Sequence, residues 1–204
     1  MTAVIGGIHH VTALAADPQR NCDFYAGVLG LRLVKKTVNF DAPDVYHLYY
    51  GNETGEPGTI LTFFPFPDAA RGKRGTGEIS AVAFAAPVSS GGYWADRLSR
   101  HGVHFAGPSA RFGTDCIAFE DPEGMGLEIV FSGEGGGRER KGGPVPRESA
   151  IRGLAGVTML LRERGRTAEI LSRTLGARAA GSDGDRDRYI VGEGVSAAAV
   201  DLLQ

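Results

Sequence analysis

Two adjacent imidazoles, His9 and His10, stand in the run Ile8-His9-His10-Val11-Thr12, a short β-branched stretch preceded by Gly6-Gly7 and closed by Asp17-Pro18. That composition reads as a first strand. Strand alternation places Ile8, His10 and Thr12 on one face and His9, Val11 and Ala13 on the other. A regular strand therefore cannot aim both imidazoles into one site. One can ligate a metal while the other hydrogen-bonds elsewhere, and the ordinary reading of such a pair without partners is two satisfied strand histidines. Other side chains with chemical capacity are His47 in Tyr46-His47-Leu48-Tyr49, the carboxylates Glu128 and Asp201, and the lysine pair Lys35-Lys36. His47 suits a cavity or a hydrogen-bonded rim. Glu128 either faces solvent or is buried and needs a partner. Lys35-Lys36 can attract a phenolate, though solvated surface is the simpler account. His101, flanking Gly102 near a predicted helix end, is explained by the helix dipole.

The elements that must carry these groups follow from length and pattern. With 204 residues the chain is long enough to bury a full core, and 42% hydrophobic with 23% charged residues is ordinary for a globular protein. A net charge of −2 gives no argument for a nucleic-acid or anionic-membrane partner, none is expected, and Arg71-Lys73-Arg74, Arg138-Arg140-Lys141 and Arg162-Arg164-Arg166 read as solvated clusters. Cys22 and Cys116 lack Cys-x-x-Cys spacing, which suggests free thiols in a reducing compartment. No apolar run approaches a membrane span and no signal-peptide pattern is present, so the expected location is cytoplasmic.

After the first strand, a helix runs from Asp17-Pro18 through Phe24, Tyr25 and Leu29 to a terminating Gly30. Strands are expected from Leu31, over Val45–Tyr50 and over Thr59–Phe64, giving a β-α-β-β-β unit. The pattern recurs with strands at Ile79–Phe84, Val103–Phe105, Asp115–Glu120 and Leu127–Phe131 around a helix holding Tyr93–Leu98. A third copy has strands at Leu154–Thr158, near Ala177, at Arg188–Val191 and at Ala197–Leu203, with a helix ending at Leu175-Gly176. Val11-Thr12 matches Val157-Thr158, and Leu29-Gly30 matches Leu175-Gly176, both at an offset of 146; the second copy is offset by 71 at its first strand. Two dipeptide matches at one offset indicate a divergent duplication. A small curved sheet has one apolar face that needs a partner, so units should pair. Three units leave one unpaired, and the last strand is barely finished at Gln204. The expectation is a four-unit α+β protein whose fourth unit is missing, with association through the exposed unpaired face.

The sequence resembles the vicinal oxygen chelate superfamily, the fold of glyoxalase I and the extradiol dioxygenases, and more narrowly the four-module ring-cleaving dioxygenases of hydroquinones and related diols. The narrower resemblance rests on Ile8-His9-His10-Val11-Thr12, the run Leu33–Asp41, Tyr46-His47-Leu48-Tyr49-Tyr50, Gly58–Pro65, Arg111-Phe112-Gly113 and Gly126-Leu127-Glu128. It implies residues 7–132 as one domain of two modules, 133–150 as a glycine- and charge-rich linker, and 151–204 as a third βαβββ module beginning an incomplete second domain. It implies Fe(II) or Mn(II) held by two histidines and one carboxylate, a set that leaves adjacent positions open for an aromatic diol and O₂. The resemblance makes His10 the first-module ligand, with His9 and Thr12 lining the site, and places the other ligands in the fourth module, because modules one and four pair, as do two and three. At the His10 position the second and third units carry Ala81 and Gly156, and the last strands offer Thr62, Glu128 and Asp201. Glu128 joins His10 on one metal only if units one and two pair, as in two-module relatives.

Two readings of different class follow. One is a metal-dependent ring-cleaving dioxygenase acting on hydroquinone- or catechol-like aromatics, inactive until completed. The other is a non-catalytic or differently catalytic domain of the same fold that binds a small molecule or metal. Glyoxalase-type isomerisation is a third reading, for which two His/carboxylate sets are missing from the sequence.

Overall fold

In the computed structural model of the chain, residues 5–133 and 142–204 are described; part of the glycine-rich linker, with Arg138-Arg140-Lys141, lies outside them. The first unit is β1 (His10–Ala15), α1 (Pro18–Cys22), β2 (Arg32–Val38), β3 (Tyr46–Gly51) and β4 (Ile60–Pro65). The second is β5 (Glu78–Ala85), α2 (Gly91–Arg100), β6 (Phe105–Arg111), β7 (Thr114–Glu120) and β8 (Gly126–Val130). The third is β9 (Gly153–Leu160), α3 (Gly165–Glu169), β10 (Arg178–Asp183), β11 (Arg186–Val191) and β12 (Ala198–Leu203). In each unit the first strand pairs in parallel with the fourth, and the rest of the ladder is antiparallel.

Helix α1 starts where the sequence says it should. Asp17 caps the N–H groups of Gln19 and Arg20 at 2.8 and 3.0 Å, and Pro18 occupies the first turn, where its missing N–H is harmless. The helix widens into a π-type turn over Asp23–Val28, and α3 does the same over Ile170–Thr174. The duplication is visible bond by bond. Leu29 N–H donates to Phe24 O and Leu31 N–H to Tyr25 O; at the same offset of 146, Leu175 donates to Ile170 and Ala177 to Leu171. Gly30 and Gly176 then turn the chain with φ near +75° and +72°, a conformation glycine adopts without a Cβ clash.

The sheets divide the chain as 1 against 2 plus 3. Strands β1–β4 form a four-stranded sheet in the order β1-β4-β3-β2, whereas β5–β12 form one eight-stranded sheet in the order β10-β11-β12-β9-β5-β8-β7-β6, joined by antiparallel pairing of β5 with β9. Among the described residues, no strand of the first unit is hydrogen-bonded into the second unit's sheet. Strand β6 continues six residues past the predicted stretch, through Gly107-Pro108, with its register shifted between Ala106 and Ser109. It lies at the sheet edge, where a missing proline N–H removes no ladder bond.

Helix-side contacts tie the first unit to the others through one continuous apolar cluster that includes Phe24, Tyr25, Leu29, Phe63, Phe84, Trp94, Ile129 and Leu202. Within it, Tyr25 OH donates to the buried Asp121 Oδ2 at 2.9 Å, while Asp121 Oδ1 accepts the backbone N–H groups of Glu123 and Met125. Burial, and then the charge of Asp121, hold the Tyr25 phenol far above its ordinary pKa, so it remains a donor. Tyr25→Phe leaves Asp121 Oδ2 without its buried donor and is expected to reduce unfolding free energy by about 2 kcal/mol. Urea denaturation checks this; an unchanged midpoint would show that the bond contributes nothing.

Candidate active site on the first sheet

The face of the first sheet turned away from α1 is built by strand register. His10 lies beside Ile60, Thr12 beside Thr62, and Thr62 beside Tyr49, with His47 on the same face one alternation along β3. The face is open: Leu14, two residues beyond Thr12, is 65% exposed. Thr62 and Thr12 hydroxyls bond at 2.9 Å across β4 and β1. His47 stacks between Tyr49 and Phe64, with centroids at 4.0 and 3.9 Å, and bonds Tyr49 OH through Nδ1 at 2.8 Å. Alternation also sorts the aromatic-rich strands. Tyr50 and Phe63 turn into the core, whereas Tyr49 and Phe64 remain on the open face. The lysines part likewise: Lys35 pairs in register with Tyr49, and Lys36 lies over the Tyr46 ring at 4.2 Å.

The strand-alternation argument separating His9 from His10 does not survive. Strand β1 begins at His10, so His9 precedes the pleated segment and is free of its alternation. The two rings meet edge to face, Nδ1 to Nδ1 at 3.0 Å, one donating and the other accepting. That contact occupies His10 Nδ1, fixes the ring, and leaves Nε2 as its other nitrogen.

His47 Nε2 is buried with no partner among the described residues. Burial first, then the charges of Lys35 and His10, hold its pKa below the ordinary histidine value. The folded pKa lies below the unfolded one, so the unfolded state binds the extra proton first. The stability from a neutral His47 is complete above about pH 6.5 and is lost as pH falls through the lowered folded value. An NMR titration is expected to show a His47 midpoint below 6.5 that moves upward in Lys35→Gln.

The corresponding positions of the other two units differ in kind. Ala83 beside Glu128 and Thr158 beside Asp201 occupy the register of Thr12 beside Thr62. Glu128 is ion-paired with Arg111, and Asp201 accepts Arg188 at 2.8 and 2.9 Å and Arg186 at 3.3 Å. Burial opposes the Arg111 charge, but the hydrogen bond and charge of Glu128 outweigh it and hold the guanidinium pKa above its usual value. Both carboxylates face a cavity between the second and third units that also contains Thr158 and Cys116. The condition under which Glu128 would join His10 is therefore not met: unit two pairs with unit three, and the Glu128 charge is already answered by Arg111. The arginines escaped the sequence reading. Their signal was Arg186 and Arg188 alternating on a strand beside one that carries the single carboxylate Asp201.

No group of three or more histidine, cysteine or carboxylate side chains that could hold a metal ion is found among the described residues. His10 is a single potential donor on this face, so the described residues alone do not fit a metal centre of two histidines and a carboxylate. His101 lies exposed at the end of α2, away from this face, and Cys22 and Cys116 are both free thiols. No helix among the described residues is long and apolar enough to cross a membrane.

The chain is similar to several known proteins. Residues 7–129 match the family model described as the Glyoxalase/Bleomycin resistance protein/Dioxygenase superfamily. A Bacillus subtilis (strain 168) protein provisionally named ring-cleaving dioxygenase MhqO is 45% identical over 183 residues, covering 90% of this chain and 58% of the relative. Chlorohydroquinone/hydroquinone 1,2-dioxygenase of Sphingobium indicum is 39% identical over 202 residues, covering 97% of this chain and 63% of the relative. The crystal structure of a provisionally assigned dioxygenase from Bacillus subtilis superposes with a TM-score of 0.93 at 42% identity, over 98% of this chain and 64% of that one. This chain thus spans less than two thirds of the length of these relatives.

Proposed function

We infer the activity from one premise: this chain belongs to the Glyoxalase/Bleomycin resistance protein/Dioxygenase superfamily. We propose that it carries the first-module half of a metal-dependent ring-cleaving dioxygenase acting with O₂ on a hydroquinone- or catechol-like aromatic. The names of relatives at 39–45% identity support this reading. So does one observation in the molecule: the open face of the first sheet gathers His10, the Thr12–Thr62 hydroxyl pair and the His47–Tyr49–Phe64 stack, while the equivalent faces of the other units carry arginine–carboxylate pairs instead.

In this proposal His10 is a metal ligand through Nε2, and His9 fixes its ring through Nδ1. Fe(II) or Mn(II), if held there, would supply the chemistry that passes electron density from a bound diol to O₂. The remaining donors come from a further module packed on the open face. The outer edge of β1, which has no second strand partner among the described residues, corresponds to the edges through which β5 and β9 join. Thr12, Thr62, Tyr49 and Phe64 would then form the wall against which the aromatic ring lies, with Lys35 nearby to favour its anionic form. Protein groups replace water around the phenolate, so its charge is held by fixed dipoles and by Lys35.

The experiment compares the 204-residue chain with a protein extended by a fourth βαβββ module. O₂ consumption with hydroquinone and bound metal are both expected only in the extended protein, and both should be lost in His10→Ala. Strong turnover by the 204-residue chain alone would overturn the proposal. Metal-free protein that still binds the aromatic, with or without His10, would establish the non-catalytic binding reading instead.

A further inference from the structure

The cavity between the second and third units has a volume of about 270 Å³ and is lined by two kinds of surface. One wall is apolar, from Ala83, Val130, Leu154, Val157 and Ile190. The other is charged and carries more cations than anions. Glu128 is answered by Arg111 and Asp201 by Arg188, all four on the lining, and Arg186, which lies outside the lining, also reaches Asp201, so three guanidiniums share two carboxylates. A fourth, Arg178, stands exposed on the cavity lining without an ion-pair partner among the described residues. The three inner side chains are only 23%, 11% and 19% exposed, so water screens the surplus poorly. A partly buried cation without a counter-charge is expensive, and a guanidinium retains further N–H groups after one carboxylate is bonded.

The turn that closes this wall is itself unusual. Arg111-Phe112-Gly113 links β6 to β7, and Phe112 is the one non-glycine residue with positive φ, +48°, among the described residues. Its conformation is held from the third unit, by Asp183 Oδ2 accepting the Phe112 N–H at 2.7 Å and by Arg188 stacked on its ring at 4.0 Å. Sparse backbone geometry held by tertiary contacts is characteristic of ligand-shaped surfaces.

We propose that this cavity binds a small organic carboxylate, its oxygens on the arginine cluster and its hydrocarbon body against the apolar wall. Guanidinium forks match a planar carboxylate through paired N–H donors, and a single negative charge answers the surplus of the inner cluster. The site is separate from the open face of the first sheet and does not depend on the dioxygenase reading.

Isothermal titration of the 204-residue chain with sodium benzoate, neutral benzamide and inorganic phosphate tests this. Benzoate is expected to saturate in the millimolar range or below, with benzamide at least about tenfold weaker. Arg178→Gln, at an exposed side chain without an ion pair, should weaken benzoate several-fold with an unchanged thermal melt. Glu128→Gln, which enlarges the positive surplus, should tighten it, a change that a merely structural ion pair would not produce. His10→Ala should leave benzoate unaffected. No saturable binding up to about 10 mM, affinity indifferent to both cavity variants, or loss of binding in His10→Ala would overturn the proposal. Phosphate binding as tightly as benzoate would overturn the assignment to an organic carboxylate.

Discussion

Gly156→Ala is expected to destabilise the fold by about 3 kcal/mol, an unusually large effect for adding one methyl group. Gly156 occupies the His10 position of the third unit, and a Cβ built there would lie 2.2 Å from the carbonyl oxygen of Ala199 on β12. The obstacle is backbone, not a flexible side chain, so β12 must move and disturb its ladder with β9 and β11. The second unit is tight at the same level: a Cβ on Gly126 would approach the carbonyl of Ser80, next to Ala81, to 2.3 Å. In the first unit the corresponding pair, His10 beside Ile60, carries full side chains on both strands. The position held by His10 in unit one is therefore closed in units two and three by the approach of neighbouring strands as well as by residue type. Gly156→His, with or without Ala81→His, should accordingly yield no metal uptake by equilibrium dialysis. Chemical denaturation of Gly156→Ala gives the stability measurement; a loss below about 0.5 kcal/mol would mean that β12 yields easily and that closure is sequence choice alone.

Arg97→Met should have a similar effect, about 3 kcal/mol, for an electrostatic reason. Arg97 lies on α2 and is only 8% exposed, yet it forms no ion pair with a carboxylate among the described residues. Its partners are carbonyls: Val28 and Gly27, each at 2.7 Å, at the end of the first unit's helix, and Pro144 at 3.2 Å, with Tyr93 OH at 3.1 Å. The last turn of a helix presents carbonyls with no donor of their own and the negative end of its dipole. A single guanidinium satisfies both and clamps unit one onto unit two without a shared strand. Methionine fills the volume but leaves the carbonyls buried and unpaired. Thermal denaturation should show a fall of about 6–12 °C. Arg97→Lys should recover less than half of it, since one ammonium cannot span three separated carbonyls. Full recovery by lysine would assign the effect to charge alone.

The repeating unit was legible in the chain because local rules write it locally. Asp17-Pro18 starts a helix, Gly30 and Gly176 stop one, and period-two alternation sorts Tyr50 and Phe63 from Tyr49 and Phe64 without tertiary information. The duplication at offset 146 was readable from two dipeptides, and the structure repeats it in the same two backbone bonds at each helix end. His10 and Thr12 were legible as neighbours on one face for the same reason.

Other features were decided by contacts between residues far apart in sequence. Strand ends depend on hydrogen bonds, so whether His9 lay inside β1, and with it the meeting of the two imidazoles, was settled only when β4 and the Gly58 turn took their places beside it. The same holds for the partner of unit two. Two curved sheets of similar pattern compete to join it, and the antiparallel match of β5 with β9 assigns the place to unit three. That choice sets Glu128, already paired with Arg111 of its own unit, across a shared cavity from Asp201 of unit three, and makes it one side of an arginine-rich cavity. Propensity and periodicity act over a few residues and determine which groups share a face. Which faces confront each other, and so which charges meet, is a sum over long-range packing that no single stretch of the sequence contains.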